Sequence, residues 1–400
     1  MELITRQEAF NKLVENTELK RKTETIYLSD ADNRILAEDV YCKHPIPISK
    51  SARLDGIMAR LEDLMACRYE GKQLLLGRDF DYVDTGDYID DKYDWSLAIE
   101  SVEVVDGYLK IAERINPEEE HYVKEIGSTV AEGELLLKKG SIINPLNIML
   151  LAMGGHEKVL VYKKPVIAYI PTGNELVKVG NQLGRGEYYE ANSYMIRAFV
   201  EKLQGELVLT DIIKDDMDKL VATIDSVIDI ADILIITGGS SLGRDDLNVK
   251  YLMETGAMIQ HGVSCAPGYP IGFAQINKKP VVNLPGPPLS SFLGMTWIVN
   301  KLIGRYYFGE IRKPKRIQAK LTEDITKKMN WEGLALIELV EDEEGNYLAT
   351  PLSMVKRYPI TTEFSRANGI FEMPHGPREY SEGDLIDVIS IQTKLSDYKR

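Results

Sequence analysis

Between Leu234 and Leu247 the chain reads LIITGGSSLGRDDL. Four apolar residues run into Thr237, Gly238, Gly239, Ser240 and Ser241, followed by Gly243, Arg244, Asp245 and Asp246. Glycines let a backbone approach a phosphate closely, and Ser and Thr hydroxyls add donors. A helix starting after Asp246 would point its positive end back at this loop. The stretch therefore reads as a phosphate cradle, and an aspartate beside it suits Mg²⁺, which takes one or two carboxylates plus phosphate oxygens. Two other loops have similar chemistry: Pro171-Thr172-Gly173-Asn174-Glu175 and Leu284-Pro285-Gly286-Pro287-Pro288. Each also has a plain structural reading. Asp245 or Asp246 can be an N-cap, the glycines can turn the chain, and Thr172 and Glu175 can cap a following helix. The GxGxxG fingerprint is absent, which argues against a nicotinamide dehydrogenase.

These loops need strands to launch them. KPVIAYIPTGNEL reads as strand then loop, SYMIRAFVEKLQG as an amphipathic helix with Gly205 after it, and ELVLTDII as a strand. DDMDKLVATIDSVIDIA is a helix, DILIITGG a strand, and DDLNVKYLMETG a helix. KPVVNLPGPPLSSFLGMTWIVNKLIG is again strand, loop and helix. Alternation of this kind predicts a mostly parallel sheet with helices on both faces, whose ligand crevice lies beyond the carboxyl ends of the strands. The chain opens with a helix, Thr5 and Glu8 forming a capping box. HPIPISKSARLDG (His44–Gly56) reads as a long loop, and short apolar runs from Arg60 to about Gly140 predict a small β-rich domain. From about Arg312 the pattern is β again, with a hairpin around Glu343–Asn346 and an alternating DLIDVISI. The expected fold class is α/β plus β.

The 400 residues carry 48 basic and 62 acidic side chains, a formal charge of −14. That balance opposes a nucleic-acid groove, which needs a basic footprint. It does not oppose a small anion held by backbone N–H groups. Cys42, Cys67 and Cys265 are far apart without a CxxC, as expected of reduced thiols in a cytosolic protein. Five scattered histidines lack metal-ligand spacing. There is no apolar leader and no apolar run near eighteen residues. The expectation is a soluble, cytoplasmic protein with no membrane or nucleic-acid partner.

Taken together, the loops resemble those of the MoeA/gephyrin family of molybdenum-cofactor biosynthesis enzymes. PTGNEL at Pro171 resembles STGDEL, GEYYEAN (Gly186–Asn192) resembles GQIYDSN, and ITGGSSLGRDD resembles TSGGVSVGDYD. APGYP (Ala266–Pro270) resembles KPGKP, LPGPPLS resembles LPGNPVS, and ANGIFEMP (Ala367–Pro374) resembles ANGLIVLP. Pro47 and Asp55-Gly56 sit where the family has PxxxxSxxDGYA. The resemblance implies a homodimer of four-domain subunits. Residues 1–44 with 141–164 would form an N-terminal linker domain, 45–140 the β-rich domain, 165–310 a MogA-like α/β domain, and 311–400 a C-terminal β-barrel. It implies insertion of molybdate into adenylylated molybdopterin with Mg²⁺ and release of AMP. A molybdopterin-adenylylating protein and recipient apo-molybdoenzymes would be partners. By position, Ser241 and Asp246 would hold the pyrophosphate and its metal, Pro270 and Ser290 would line the molybdate pocket, and Asp55 of the other subunit would face the same cleft. Thr172, Gly173, Glu175, Thr237, Gly238, Gly239, Ser240, Gly243, Pro285 and Gly286 complete the binding set.

Several motif positions depart from the family. Arg244 stands at the first Asp of GDYD, Ala266 and Tyr269 replace both lysines of KPGKP, and Ala52 and Ile57 replace the Ser and Tyr of SxxDGYA. Thr129 occupies the Asp position of GED, and Glu338 lies near where the barrel offers an Arg. Molybdate is a dianion for which lysines are natural partners. Two lost charge-assisted bonds of about 1.5–3 kcal/mol each would weaken it roughly a hundredfold or more. A divergent molybdotransferase and a degenerate carrier or scaffold for molybdopterin or the finished cofactor are therefore both open, with nucleotide pyrophosphatase chemistry as a further alternative.

Overall fold

A computed structural model describes residues 2–238, 246–310, 314–352 and 361–391. The chain forms two compact units, residues 24–161 and residues 1–23 with 162–400.

In the larger unit the N-terminal helix α1 (Arg6–Asn16) starts at the expected capping box: the Thr5 hydroxyl accepts from Glu8 N–H and the Glu8 carboxylate accepts from Thr5 N–H. The α/β layer follows: β1 (Val166–Pro171), α2 (Asn192–Lys202), β2 (Glu206–Leu209), α3 (Met217–Ile228), β3 (Ile233–Thr237), α4 (Leu247–Glu254), β4 (Met258–His261), β5 (Gly272–Ile276) and β6 (Lys279–Leu284). The sheet order is β2-β1-β3-β6-β5-β4. The first four strands are parallel and β5 and β4 are antiparallel additions. β3 is buried at all five positions, which is why ILIIT carries no alternation. Leu220, Ile224, Val227 and Ile228 of α3 recur at helical spacing and pack with Leu252 of α4 on Ala168, Ile170, Leu234 and Ile236. Helix α2 covers Ile167 on the opposite face, so both faces are closed, as expected. The LPGPP loop leads into α5 (Pro288–Gly294), a π turn (Met295–Val299) and α6 (Asn300–Phe308).

The C-terminal part is a closed five-stranded barrel. Its strands are β7 (Arg316–Leu321), β8 (Glu332–Glu341), β9 (Tyr347–Leu352), β10 (Gly369–Met373) and β11 (Leu385–Ser390). They run β8-β9-β7-β11-β10, and β10 pairs back onto β8 to close the ring. The expected hairpin joins β8 to β9, with Glu341 opposite Tyr347. Near the start of β8, Lys327 is 1% exposed and donates to the carbonyls of Met329 (3.0 Å), Trp331 (2.7 Å) and Gly376. Lys327→Met should strand these carbonyls. At about 1–3 kcal/mol per orphaned buried group, the barrel's unfolding midpoint in urea should fall measurably; an unchanged midpoint would mean water replaces the ammonium.

The smaller unit has one core from Leu28, Ala31, Leu36, Val40, Ile143, Leu151, Val159 and Val161. A second is built from Ile57, Ala59, Leu64, Leu74, Phe80, Leu97 and Leu109. The expected β-rich segment also holds a helix, Leu61–Glu70, ended by left-handed Gly71. Within the expected loop after His44, Ser51–Ala52 pairs with Val123–Lys124. Gly56 lies against the neighbouring strand, where a Cβ would sit 1.9 Å from Leu97 O, so backbone packing requires glycine there. Among the described residues, no helix is long and apolar enough to cross a membrane.

Candidate functional site

The parallel strands β1, β3 and β6 end together, and each end feeds one of the three candidate loops. The loops are tied to one another by their backbones. Thr172, just past β1, is 5% exposed; its N–H and its hydroxyl both donate to Thr237 O, at 2.8 and 2.9 Å. Gly238 N–H donates to Leu284 O at 3.4 Å, and Asn248 Nδ2 donates to the Thr172 hydroxyl at 2.9 Å. Gly173 N–H donates to Ile213 O at 3.0 Å. At Gly238 (φ +151) a Cβ would sit 2.0 Å from Thr172 Oγ1, so strand end and loop touch at a point that only glycine fits.

Thr172 and Glu175 cap no helix, contrary to one reading of the sequence. The chain beyond them forms a short strand, Leu176–Val177, parallel to Tyr188–Tyr189, and the next helix starts only at Asn192. Thr172 instead spends its hydroxyl on the loop junction.

Asp246 is the N-cap of α4, its Oδ1 accepting from the N–H groups of Asn248 (3.0 Å) and Val249 (3.1 Å). Burial raises its pKa above the ordinary aspartate value, against the lowering effect of those two bonds. Gly239, Ser240, Ser241, Gly243, Arg244 and Asp245 lie outside the described residues. Pro285 is buried after β6, Gly286 is half-buried, and Ser290 is half-buried in the first turn of α5. Pro270 is buried in the loop between β4 and β5, which leaves the same sheet edge, since Gly272 pairs with Asn283. Asp55 belongs to the smaller unit. It accepts from Thr85 N–H (2.7 Å) and the Thr85 hydroxyl (2.6 Å), and these bonds hold its carboxyl below the usual aspartate range.

Several site groups carry no motif that residue type alone would single out. Tyr169 on β1 is fully buried; its hydroxyl donates to Glu190 Oε1 at 3.1 Å and shares a 2.6 Å bond with the Thr237 hydroxyl. Glu190 Oε1 also accepts from Ser193 N–H at 3.0 Å. Burial, reinforced by the charge of Glu190, keeps the Tyr169 phenol protonated. Asn192 Nδ2 donates to Gly286 O at 2.9 Å, while its Oδ1 is buried without a partner among the described residues. Asn283 Oδ1 and Ser291 Oγ are likewise orphaned. Beside this edge lies a cavity of about 750 Å³ lined by Pro171, Glu190, Ser193, Arg197, Thr210 and Asp211, within the size range of small-molecule sites.

The two missing lysine positions have other uses. Cys265–Ala266 runs parallel to Glu332–Gly333, adding a strand to the barrel, and the Tyr269 ring lies 5.8 Å from that of Trp331. Glu338 pairs with Arg366, the Nε–Oε2 distance being 3.0 Å.

Three family profiles match the chain in order. They are the MoeA N-terminal region (domain I and II) at residues 4–155, a probable molybdopterin binding domain at 168–305, and the MoeA C-terminal region (domain IV) at 318–391. The chain belongs to the MoeA family. Among solved structures, the molybdopterin biosynthesis MoeA protein of Pyrococcus horikoshii aligns with a TM-score of 0.83 at 27% identity, covering 97% of this chain and 99% of that one. The molybdopterin molybdenumtransferase of Haemophilus influenzae is 27% identical over 339 residues, 81% of this chain and 83% of its own. That of Bacillus subtilis is 26% identical over 397 residues, 93% and 90% respectively. The MoeA resemblance and the α/β-plus-barrel fold expected from the sequence are therefore correct.

The Mg²⁺ that the resemblance implies would meet a single carboxylate among the loop's described residues, that of Asp246. Among the described residues no cluster of three or more His, Cys, Asp or Glu side chains could hold a metal by itself. Asp246 offers one carboxylate, whose Oδ1 already accepts from the N–H groups of Asn248 and Val249, so a cation here would need its other ligands from phosphate oxygens.

Proposed function

We propose that this MoeA-family chain is a molybdopterin molybdotransferase that inserts molybdate into adenylylated molybdopterin and releases AMP. The observation that carries this reading is the junction of three strand-end loops through Thr172, Thr237, Gly238 and Leu284, with the orphaned Asn192 Oδ1 beside it. The junction fixes the ends of the loops that would hold a pyrophosphate, the orphaned Asn192 Oδ1 would accept from a ligand N–H, and the adjoining cavity has room for a pterin ring. Thr172, Gly173, Glu175, Thr237, Gly238, Gly239, Ser240, Gly243, Pro285 and Gly286 form the binding set. Ser241 and Asp246 orient the anhydride, and Pro270 and Ser290 line the oxyanion side. Bound Mg²⁺, held by Asp246, would neutralise charge on the phosphates. Water adds across the phosphoanhydride, giving AMP and molybdopterin, whose two dithiolene thiols then displace one oxide of molybdate, which leaves with their two protons as water. Asp55 of a second subunit would complete the cleft in a cytoplasmic homodimer that receives substrate from an adenylylating protein and serves apo-molybdoenzymes.

The test is incubation of the protein with adenylylated molybdopterin, Mg²⁺ and molybdate. AMP release that depends on molybdate supports the transferase. Tight pterin binding without AMP supports a carrier, a reading favoured by the use of Ala266 and Tyr269 in docking on the barrel. AMP release indifferent to molybdate indicates a pyrophosphatase. In the transferase, Tyr269→Lys should tighten molybdate about tenfold, the effect of one charge-assisted bond. Equilibrium dialysis showing no change would place the oxyanion elsewhere.

A further inference from the structure

A second cavity, of about 560 Å³, lies within the larger unit, between α1, the ends of α2 and α6, and the barrel. Its lining includes four cationic side chains, Arg6, Lys202, Lys301 and Arg316, and two carboxylates, Glu332 and Glu372. That is a local excess of positive charge in a chain of net charge −14.

The carboxylates are already committed. Arg6 Nε contacts Glu332 Oε2 at 2.5 Å and its NH1 contacts Glu372 Oε1 at 2.9 Å, while Arg316 takes the other Glu372 oxygen. The Arg6 guanidinium also lies over Trp297, 5.5 Å from the ring centroid. Lys202 Nζ donates to Ile391 O at 3.2 Å. Lys301 is different. It is half-buried, its ammonium lies 5.3 Å from the Phe10 ring centroid, and no acceptor bonds it among the described residues. Burial, and then the Arg6 charge, hold that ammonium below the ordinary lysine range, with the charges of Glu372 and Glu332 only partly opposing them. A cation kept close to two arginines without an acceptor is costly for stability and is relieved by an anion.

We propose that this cavity is a second ligand site, for a small phosphate-bearing molecule whose phosphoryl group is held by Lys301 and Arg316. Its volume lies in the range of small-molecule sites and exceeds what a lone tetrahedral oxyanion needs. Phe199 and Leu334 line it as apolar wall for the rest of the ligand. It is built from α1, the C-terminal end of α2, α6 and the barrel, whereas the crevice takes the strand-end loops and the N-terminal end of α2, so the proposal does not rest on the transferase reading.

The test uses the whole chain and pyridoxal 5′-phosphate, whose aldehyde condenses with a lysine amine with loss of water. Borohydride then reduces the imine, and peptide mapping locates the label. Lys301 should be labelled at least about tenfold faster than exposed Lys20, one charge-assisted bond being worth roughly that factor. Inorganic phosphate or AMP should protect it. Arg316→Gln should slow the Lys301 reaction to a similar degree while leaving the labelling of Lys20 unchanged. Protection by AMP at least as strong as that by phosphate supports a phosphomonoester ligand, whereas protection by phosphate alone would reduce the site to a free oxyanion and overturn the proposal. Labelling of Lys301 no faster than Lys20, or protection by neither anion, overturns it. A crevice that binds no pterin would alter none of these results.

Discussion

Asp246→Asn should reduce AMP release from adenylylated molybdopterin at least about a hundredfold. A metal's charge neutralisation is worth several kcal/mol, and each 1.36 kcal/mol is about a factor of ten in rate. The fold should survive, because asparagine is about as good an N-cap as aspartate and its side-chain oxygen can still accept from Asn248 and Val249. Paired measurements of AMP release and thermal midpoint separate the two effects. Normal release by the variant would remove the metal role from Asp246. A pH signature should accompany the change. Burial raises the folded carboxyl above its unfolded value, so the folded chain binds more protons between the two values. Stability from this group therefore falls as pH rises through that window, and the asparagine variant should lose this contribution.

Gly238→Ala should be the most damaging single methyl in the crevice. The added carbon would lie 2.0 Å from Thr172 Oγ1, 2.9 Å from Asn248 Nδ2 and 3.0 Å from Thr172 O, at a φ of +151 that L side chains rarely adopt. The backbone strain alone costs about 1–3 kcal/mol. Relief requires Thr172 to leave the Thr237 carbonyl and Asn248 to leave Thr172, which separates the loop ends. The expected result is a lower thermal midpoint and at least about tenfold weaker molybdopterin binding, at 1.4 kcal/mol per tenfold. Adding Thr172→Ala should restore part of the stability by removing the nearest atom, without restoring affinity. Unaltered pterin affinity in Gly238→Ala would place the ligand away from this junction.

Much of the scaffold was legible residue by residue. The Thr5–Glu8 box, the helical spacing of Leu220, Ile224, Val227 and Ile228, the unbroken ILIIT run and the turn after Glu341 are local signals, and each became the element it predicts. The helix Leu61–Glu70 has no local sequence signal, because Arg60 offers no side-chain cap and its apolar residues do not form a clean stripe. Lys327 is a lysine that composition would leave on the surface; it is buried because three carbonyls from two segments converge on it.

The site divides in the same way. Motif spacing named Thr172, Thr237, Gly238 and Asp246, since phosphate loops need small residues, hydroxyls and a helix cap at short range. Tyr169, Glu190 and Asn192 join the site through partners tens of residues away, and no local pattern encodes such a bond. Nor does APGYP reveal that it will extend the barrel beside Glu332. By itself the sequence determined the elements, their order and the family, because propensity, capping and periodicity act over a few residues. Only the tertiary structure decided which polar atoms are buried and left unpaired, and which cations share a cavity, because desolvation and pairing depend on segments that meet only on folding.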